Sequence, residues 1–233
     1  MPPMLRTVFL DAGGVLVNPN WTRVSDALRL HGVEVTARAL AEAEPAAKRQ
    51  IDQHHTIAAT NDTKRGWLYF NLILEAAGVL RDERTDAALA ELHEYHRRQN
   101  LWESVLPGVV PALAALRATG LRLTIVSNAN GTLCAHLDRL GLSPLVDCVL
   151  DSCDVGVEKP DPRLFHIALE RSRASADSTI HVGDLYQVDV VGARAAGLRG
   201  VLLDEAGLYD DVDCPKVRSL GELVRRIEGG EFD

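Results

Sequence analysis

The chain has 233 residues, with 33 acidic and 25 basic side chains and a formal net charge of -8. This length allows one large or two small domains with a sizeable core. The acidic balance and the lack of a basic run argue against a nucleic-acid partner. No segment approaches the roughly 18 consecutive apolar residues of a membrane span, and the first residues lead directly into a strand pattern rather than a signal peptide. We therefore expect a cytoplasmic protein with no membrane partner.

The first strand pattern ends in a carboxylate. Residues 7–10 are apolar or β-favouring, Asp11 follows them, and Ala12, Gly13 and Gly14 form a glycine turn. Aspartate and glycine are ordinary turn formers, so a turn or N-cap aspartate is one interpretation of Asp11. The other is a catalytic aspartate, because a carboxylate at the end of a buried strand is hard to explain by packing.

Residues from about 19 to 100 contain no convincing strand but several helical patterns. We predict helices over 22–31, 37–54, 63–77 and 85–99. Within this segment, residues 61–67 combine a turn, two cations and a tryptophan. They are interpreted either as a solvated loop between helices or as a contact for an anionic substrate.

From Pro107 onward the chain alternates between helix and strand patterns. Such alternation predicts a parallel sheet covered by helices on both faces. The predicted helices cover 110–119, 133–140, 162–171 and 189–196, and the strands cover 121–126, 148–150, 179–182 and 200–203. A terminal amphipathic helix over 220–227 is expected to pack on the sheet, and residues 229–233 are expected to be frayed.

Polar residues follow two further strands. Ser127 and Asn128 come after the strand at 121–126, and Gly183 and Asp184 come after the strand at 179–182. Ligands of parallel sheets bind at the carboxyl ends of the strands. Side chains from distant parts of the sequence can therefore converge on one cleft with Asp11.

In this order, the polar residues resemble the four motifs of the haloacid dehalogenase superfamily. The motifs are a strand-end Asp, a strand-end Ser or Thr, a Lys and a late acidic pair, and the resemblance spans residues 7 to about 204. It implies an α/β fold with a Rossmann-like parallel sheet over residues 1–17 and 103–233. It also implies that residues 18–102 are an inserted all-helical cap that closes over the cleft and excludes water.

The resemblance further implies a phosphatase that acts on a small phosphorylated metabolite. Asp11 would attack phosphorus and form an aspartyl-phosphate. Ser127 and Asn128 would bind phosphoryl oxygens, and Lys159 would pair with both the nucleophile and the phosphate. Taken singly, Lys159 is more commonly explained by a surface salt bridge or a helix cap.

A divalent cation is implied as well, because a phosphate ester is an anion that resists attack by a carboxylate. The resemblance assigns Mg²⁺ to Asp11, the backbone carbonyl of Gly13, and Asp184. Asp189 would support the metal directly or through its neighbours. A salt bridge or helix cap is again the commoner explanation of Asp189 by itself.

Gly13 departs from the pattern of these phosphatases. They usually place a second Asp at this position, where it protonates the leaving oxygen and later activates water. General acid–base catalysis is typically worth about 10²- to 10⁴-fold, so its loss is a serious one. The backbone carbonyl remains, and metal binding is therefore expected to persist while proton transfer weakens.

Three alternatives remain open. The first is a low-activity or non-catalytic module that binds phosphate and metal, and Gly13 is the only residue that supports it. A 2-haloacid dehalogenase is disfavoured because those enzymes carry Ser and Asn where this chain has Gly183 and Asp184. A phosphonatase needs a reactive cap lysine, and nothing marks Lys48 or Lys64 as one.

Overall fold

The computed structural model describes residues 4–233, which form two compact units. One unit combines the chain up to Asn18 with Val105–Asp233, and the other is Pro19–Ser104. From the sequence, we expect the inserted segment to span residues 18–102.

The inserted unit is built from five helices. The predicted helix over 37–54 ends early, and His54 begins a separate short helix. Asn61 is an N-cap, because its side-chain oxygen accepts a hydrogen bond from Lys64 N at 3.0 Å. Residues 61–67 are therefore a helix start rather than an interhelix loop. The helices are α1 (Trp21–Leu30), α2 (Ala37–Ile51), α3 (His54–Ala59), α4 (Asp62–Ala76) and α5 (Glu83–Gln99).

Arg65, one of the two cations in that segment, is buried. Its Nη1 donates to the Thr60 carbonyl at 2.9 Å within the same unit. Four aromatic rings pack together elsewhere in the unit, with centroids 5.2 to 6.4 Å apart. They belong to Trp21, Tyr69, Phe70 and Trp102.

The other unit contains a six-stranded sheet in which every neighbouring pair is parallel. Its strands are β1 (Thr7–Leu10), β4 (Arg122–Ser127), β5 (Cys148–Asp151), β6 (Thr179–Gly183), β7 (Arg199–Leu203) and β8 (Lys216–Val217), in the spatial order β5-β4-β1-β6-β7-β8. Two short strands, β2 (Val17–Asn18) and β3 (Ser104–Val105), form a second sheet. The α/β, Rossmann-like fold is thus confirmed.

Helices follow the strands in alternation, as the sequence predicts. They are α6 (Val109–Ala118), α7 (Leu133–Arg139), α8 (Ser152–Val155), α9 (Pro162–Ser172), α10 (Val191–Ala195) and α11 (Leu220–Glu228). One turn of π-helix, Tyr186–Val190, precedes α10 where the sequence predicts ordinary helix from 189. Among the described residues, no helix is both long enough and apolar enough to cross a membrane.

The sheet has an apolar core that covers both faces of its central strand. All four residues of β1 are buried, as expected for a central strand of a parallel sheet. Phe9 packs in a cluster with residues of β4, β5, α9 and α10, including Val126, Leu150, Phe165 and Ala193.

The carboxyl-terminal segment is ordered against this unit, and the expectation of a frayed end is wrong. Phe232 is only 4% exposed. Asp233 accepts a hydrogen bond from Leu5 N at 3.1 Å. One buried aromatic ring thus holds the segment against the unit. The short polar sequence around Phe232 gives no signal of this burial.

Candidate active site

The sheet order brings three polar strand ends to one edge. β1 lies between β4 and β6, and all three strands run in the same direction. Asp11, Ser127 and Asp184 each stand at or just beyond the carboxyl end of one of these strands. The convergence expected from the sequence is therefore present in the fold.

Lys159 is the centre of this cluster. Its Nζ lies 2.9 Å from Asp11 Oδ1 and 2.7 Å from Asp189 Oδ1, and the residue is completely buried. Burial by itself would lower the pKa of Lys159, but the Asp11 and Asp189 carboxylates outweigh it and raise that pKa. Lys159 is therefore a fixed ammonium that holds two carboxylates, and the surface salt-bridge interpretation does not apply.

Asp189 is equally buried and has both carboxylate oxygens engaged. Oδ1 contacts Lys159 Nζ and lies 3.0 Å from His181 Nε2, while Oδ2 accepts a hydrogen bond from Leu185 N at 3.1 Å. Burial would raise the pKa of Asp189, but the neighbouring Lys159 charge and the His181 hydrogen bond hold it well below its ordinary value. Asp189 is thus a permanent anion that orients Lys159.

His181 is a site neighbour that sequence reasoning missed. It lies in the interior of β6 with no exposed surface, packed edge-on against Phe165 at a centroid distance of 4.9 Å. Burial lowers the pKa of His181 below its ordinary value, although Asp189 opposes the shift. The ring is therefore neutral at pH 7, and it donates from Nε2 to Asp189. A histidine within an apolar strand was the available signal.

Asp11, Asp184 and Asp189 each offer a carboxylate oxygen within 4.8 Å of the other two. Three carboxylates around one ammonium leave an excess of negative charge, and all the donors are oxygens. Such a set fits a hard divalent cation such as Mg²⁺. Both oxygens of Asp189 already accept hydrogen bonds, which favours a supporting role for this carboxylate.

The turn after β1 does not use the Gly13 carbonyl, which lies two residues after Asp11, in its own hydrogen bonds. Its three backbone hydrogen bonds run from Leu16 N and Val17 N to the Ala12 carbonyl, at 2.9 and 3.0 Å, and from Gly14 N to the Val17 carbonyl at 2.9 Å, so none uses the Gly13 carbonyl. Gly14 adopts a left-handed φ of 69°, whereas Gly13 is not among the positive-φ glycines of the described chain. The turn therefore needs a glycine at position 14 but not at position 13.

Ser127 and Asn128 stand at the end of β4, but their side chains behave differently. Ser127 is buried, and within the described residues no hydrogen bond joins its hydroxyl to the acidic cluster. Asn128 Nδ2 donates to the Lys159 carbonyl at 3.0 Å, and Asn128 Oδ1 accepts from Lys159 N at 2.7 Å. The side chain of Asn128 is thus bound to the Lys159 backbone.

A second missed residue, Asp151, organises the loop that follows Ser127. Its carboxylate is buried at the end of β5 and accepts hydrogen bonds from Gly131 N at 2.9 Å, Leu133 N at 3.3 Å and Cys153 N at 2.9 Å. Ser152 Oγ accepts a bond from Ala129 N at 3.2 Å. An aspartate that directly follows an apolar strand was the signal, and it is the same signal that identified Asp11.

Comparison with known sequences gives one family. The model of haloacid dehalogenase-like hydrolases matches residues 5–197. The human haloacid dehalogenase-like hydrolase domain-containing protein 3 is 35% identical over 210 residues, which cover 85% of this chain and 82% of the relative. A ribulose-1,5-bisphosphate 5-phosphatase from Halopiger xanaduensis is 32% identical over 174 residues, or 74% of this chain and 71% of the relative.

A solved structure agrees at the level of the fold. The HAD-hydrolase YfnB from Bacillus subtilis, crystallised with magnesium, superposes with a TM-score of 0.70. The match covers 97% of this chain and 99% of YfnB at 20% sequence identity. At that identity the likeness supports the architecture alone.

Proposed function

This chain belongs to the haloacid dehalogenase-like hydrolases, and from that premise we propose that it is a Mg²⁺-dependent phosphatase of a small phosphorylated metabolite. The observation that carries the proposal is the contact of the buried Lys159 ammonium with Asp11 at the carboxyl edge of the sheet. A fixed cation beside a strand-end carboxylate suits a nucleophile that must approach an anionic ester. The relationship to a ribulose-1,5-bisphosphate phosphatase supports the substrate class.

In the proposed reaction, Asp11 is the nucleophile. One oxygen of its carboxylate forms a bond to phosphorus as the bond to the ester oxygen breaks, which leaves an aspartyl-phosphate. Asp11 Oδ1 is already held by Lys159 Nζ and by Ala12 N at 2.8 Å, so we assign the attack to Oδ2. The leaving oxygen takes its proton from solvent. Water then attacks phosphorus, the bond between Asp11 Oδ2 and phosphorus breaks, and inorganic phosphate leaves with the Asp11 carboxylate restored.

Charge in this reaction is balanced by fixed groups. Lys159 neutralises charge on the nucleophile and on the transferred phosphoryl group, and Asp189 and His181 keep its ammonium in place. The Ser127 hydroxyl, at the neighbouring strand end, is proposed to donate to a phosphoryl oxygen. Because these groups are buried, they need little rearrangement as the reaction proceeds.

A bound Mg²⁺ would supply Lewis-acid stabilisation of the phosphoryl oxygens. We assign its protein ligands to Asp11, Asp184 and the Gly13 carbonyl. Asp189, which is already bound to Lys159, would act by orienting its neighbours rather than as a direct ligand. We also propose that residues 18–102 are the cap domain of this enzyme.

Gly13 shapes the choice of substrate. Without a carboxylic acid at this position, the leaving oxygen lacks the usual proton donor. Aryl and acyl phosphates, whose leaving groups need little protonation, should therefore react better than alkyl phosphates. The same residue favours a second candidate function, a phosphate- and metal-binding module with little turnover.

The test is release of product from an aryl phosphate with and without Mg²⁺, for the natural chain and for Asp11→Asn. We expect metal-dependent turnover that Asp11→Asn abolishes. Calorimetric titration with Mg²⁺ and inorganic phosphate provides a second measurement on the same proteins. Binding without turnover on aryl and acyl phosphates would favour the binding module. If the chain shows no binding and no turnover, both proposed functions are ruled out.

A further inference from the structure

The side chain of Asn128 and the backbone of Lys159 form a closed two-bond ring. The amide nitrogen donates to the Lys159 carbonyl at 3.0 Å, and the amide oxygen accepts from the Lys159 N–H at 2.7 Å. This pairing also determines how the amide is oriented, because the reverse orientation would place two donors and two acceptors face to face. Both backbone groups of Lys159 are thus occupied by one side chain.

The segment around Lys159 needs such a partner. It runs between α8, which ends at Val155, and α9, which begins at Pro162, and it has no regular secondary structure. Buried backbone groups outside helices and sheets require other hydrogen-bond partners. The end of β4, 31 residues away in sequence, provides one through Asn128.

From this geometry we infer that Asn128 is a positioning residue that sets the place of the Lys159 ammonium, an inference whose catalytic part rests on the proposed function. Lys159 Nζ must lie close to both Asp11 and Asp189, and its backbone is the base from which the side chain extends. An error of about 1 Å in such a group can reduce a rate by about 100-fold. The oxygen and one N–H of the Asn128 amide therefore serve Lys159.

The first experiment measures hydrogen exchange by mass spectrometry in a peptide that contains the Lys159 amide. In Asn128→Ala that amide should exchange at least about tenfold faster than in the natural chain, because its acceptor is gone. Ser152→Ala is the matched control. It removes side-chain bonds from the same loop, but these bonds go to Ala129, so exchange at Lys159 should stay unchanged. Unchanged exchange in Asn128→Ala would overturn the inference.

The second experiment asks whether Asn128 acts through Lys159. Turnover of an aryl phosphate is measured for Asn128→Ala, for Lys159→Met and for the variant that carries both. Ser152→Ala is measured for comparison in the natural chain and in the Lys159→Met background. We expect Asn128→Ala to reduce kcat by about 10- to 100-fold in the natural background and by less than about twofold once Lys159→Met is present. The Ser152→Ala effect should be the same in both backgrounds.

A full additional loss from Asn128→Ala in the Lys159→Met background would overturn the inference, because Asn128 would then act independently of Lys159. If Lys159→Met has no measurable turnover, the same comparison is made on the affinity for inorganic phosphate in the presence of Mg²⁺. Absence of turnover in the natural chain would instead remove the proposed function and the catalytic part of this inference. The exchange result would still decide whether Asn128 holds Lys159.

Discussion

A Cβ atom on Gly183 would lie 2.0 Å from Cγ of Asp189. The last residue of β6 therefore has to be a glycine, because the Asp189 carboxyl group occupies the space that a side chain would need. Asp189 cannot move aside without losing its contacts with Lys159 and His181, since all three side chains are buried. Because Gly183 has no side chain, the Asp189 carboxyl group can occupy this space and pair with Lys159.

Gly183→Ala should consequently impair both stability and activity. We expect the free energy of unfolding to fall by about 1 to 3 kcal/mol, the usual range for overpacking, and turnover of an aryl phosphate to fall by more than about tenfold. Gly66→Ala is the control, because Gly66 lies within α4 with no atom within 4 Å of the added Cβ. That variant should gain up to about 1 kcal/mol in urea unfolding. Equal stability of the two variants would contradict the packing argument.

Gly13→Asp should restore the acid–base group that the chain lacks. The described backbone at position 13 is not left-handed, so its conformation does not require a glycine. Alkyl phosphate turnover should rise by about 10²-fold or more, and aryl phosphate turnover should rise less. Gly14→Asp, at a left-handed position, should instead destabilise the turn. A gain that is equal for both substrate types would argue against proton transfer as the missing step.

Asp151→Asn should loosen the loop after Ser127. The substitution replaces one carboxylate oxygen by an NH₂ group, which would face backbone N–H groups that now donate to Asp151. This loss should lower the free energy of unfolding by about 1 to 3 kcal/mol. Affinity for inorganic phosphate, measured by calorimetry with Mg²⁺, should decrease as well. Asp161→Asn is the matched control, because Asp151 and Asp161 are the N-caps of α8 and α9. Asp161 accepts a bond from Arg163 N but is more exposed, so its effect should be smaller. Unchanged phosphate affinity in Asp151→Asn would show that this loop does not contribute to phosphate binding.

Glu103 should make the stability of the helical unit depend on pH. Burial would raise the pKa of Glu103, but hydrogen bonds from Arg23, Asn20 and Tyr95, each 2.9 Å long, lower it overall. A lowered pKa stabilises the fold above the unfolded value of about 4.3, and that stabilisation is lost as the pH falls through the folded value. Glu103→Gln should therefore cost about 1 to 2 kcal/mol at pH 7 and progressively less below about pH 4.

The measurement is thermal unfolding of the natural chain and Glu103→Gln from pH 7 to pH 3. Glu42→Gln is the control, because Glu42 forms an exposed pair with Arg38 and should change Tm little at any pH. A difference between Glu103→Gln and the natural chain that persists unchanged at pH 3 would show that the charge of Glu103 is not what stabilises the unit.

Phe232→Ala should reveal the contribution of the carboxyl-terminal segment. Its ring is buried with the Arg226 guanidinium 5.7 Å from the ring centroid. Removal of a buried aromatic ring typically costs about 3 to 5 kcal/mol, and a position near a chain end should lie at the low end. Leu80→Ala, at a position that is 87% exposed, should be nearly neutral in urea unfolding. Equal effects of the two substitutions would mean that the segment does not contribute to the folded state.

Much of the architecture could be predicted because the signals for it are local. An apolar run at strand spacing places Asp11, Ser127 and Asp184 at strand ends, and alternation of helix and strand gives a parallel sheet. Helix boundaries are less certain from sequence, since caps such as Asn61 act through single hydrogen bonds. The burial of Phe232 escaped prediction because it depends on a surface made by other parts of the chain.

The sequence by itself determined the layered α/β fold and the carboxylates at the ends of β1 and β6, since these depend on residue types within a few positions. The family resemblance implied that Lys159 pairs with Asp11, but only the tertiary structure decided the other pairs. Lys159 meets an aspartate 30 residues later, and Asn128 is occupied by a backbone 31 residues away. Spacing along the chain carries no information about such contacts. Burial removes water as an alternative partner, and the close approach of parallel strand ends then selects the groups that remain within reach.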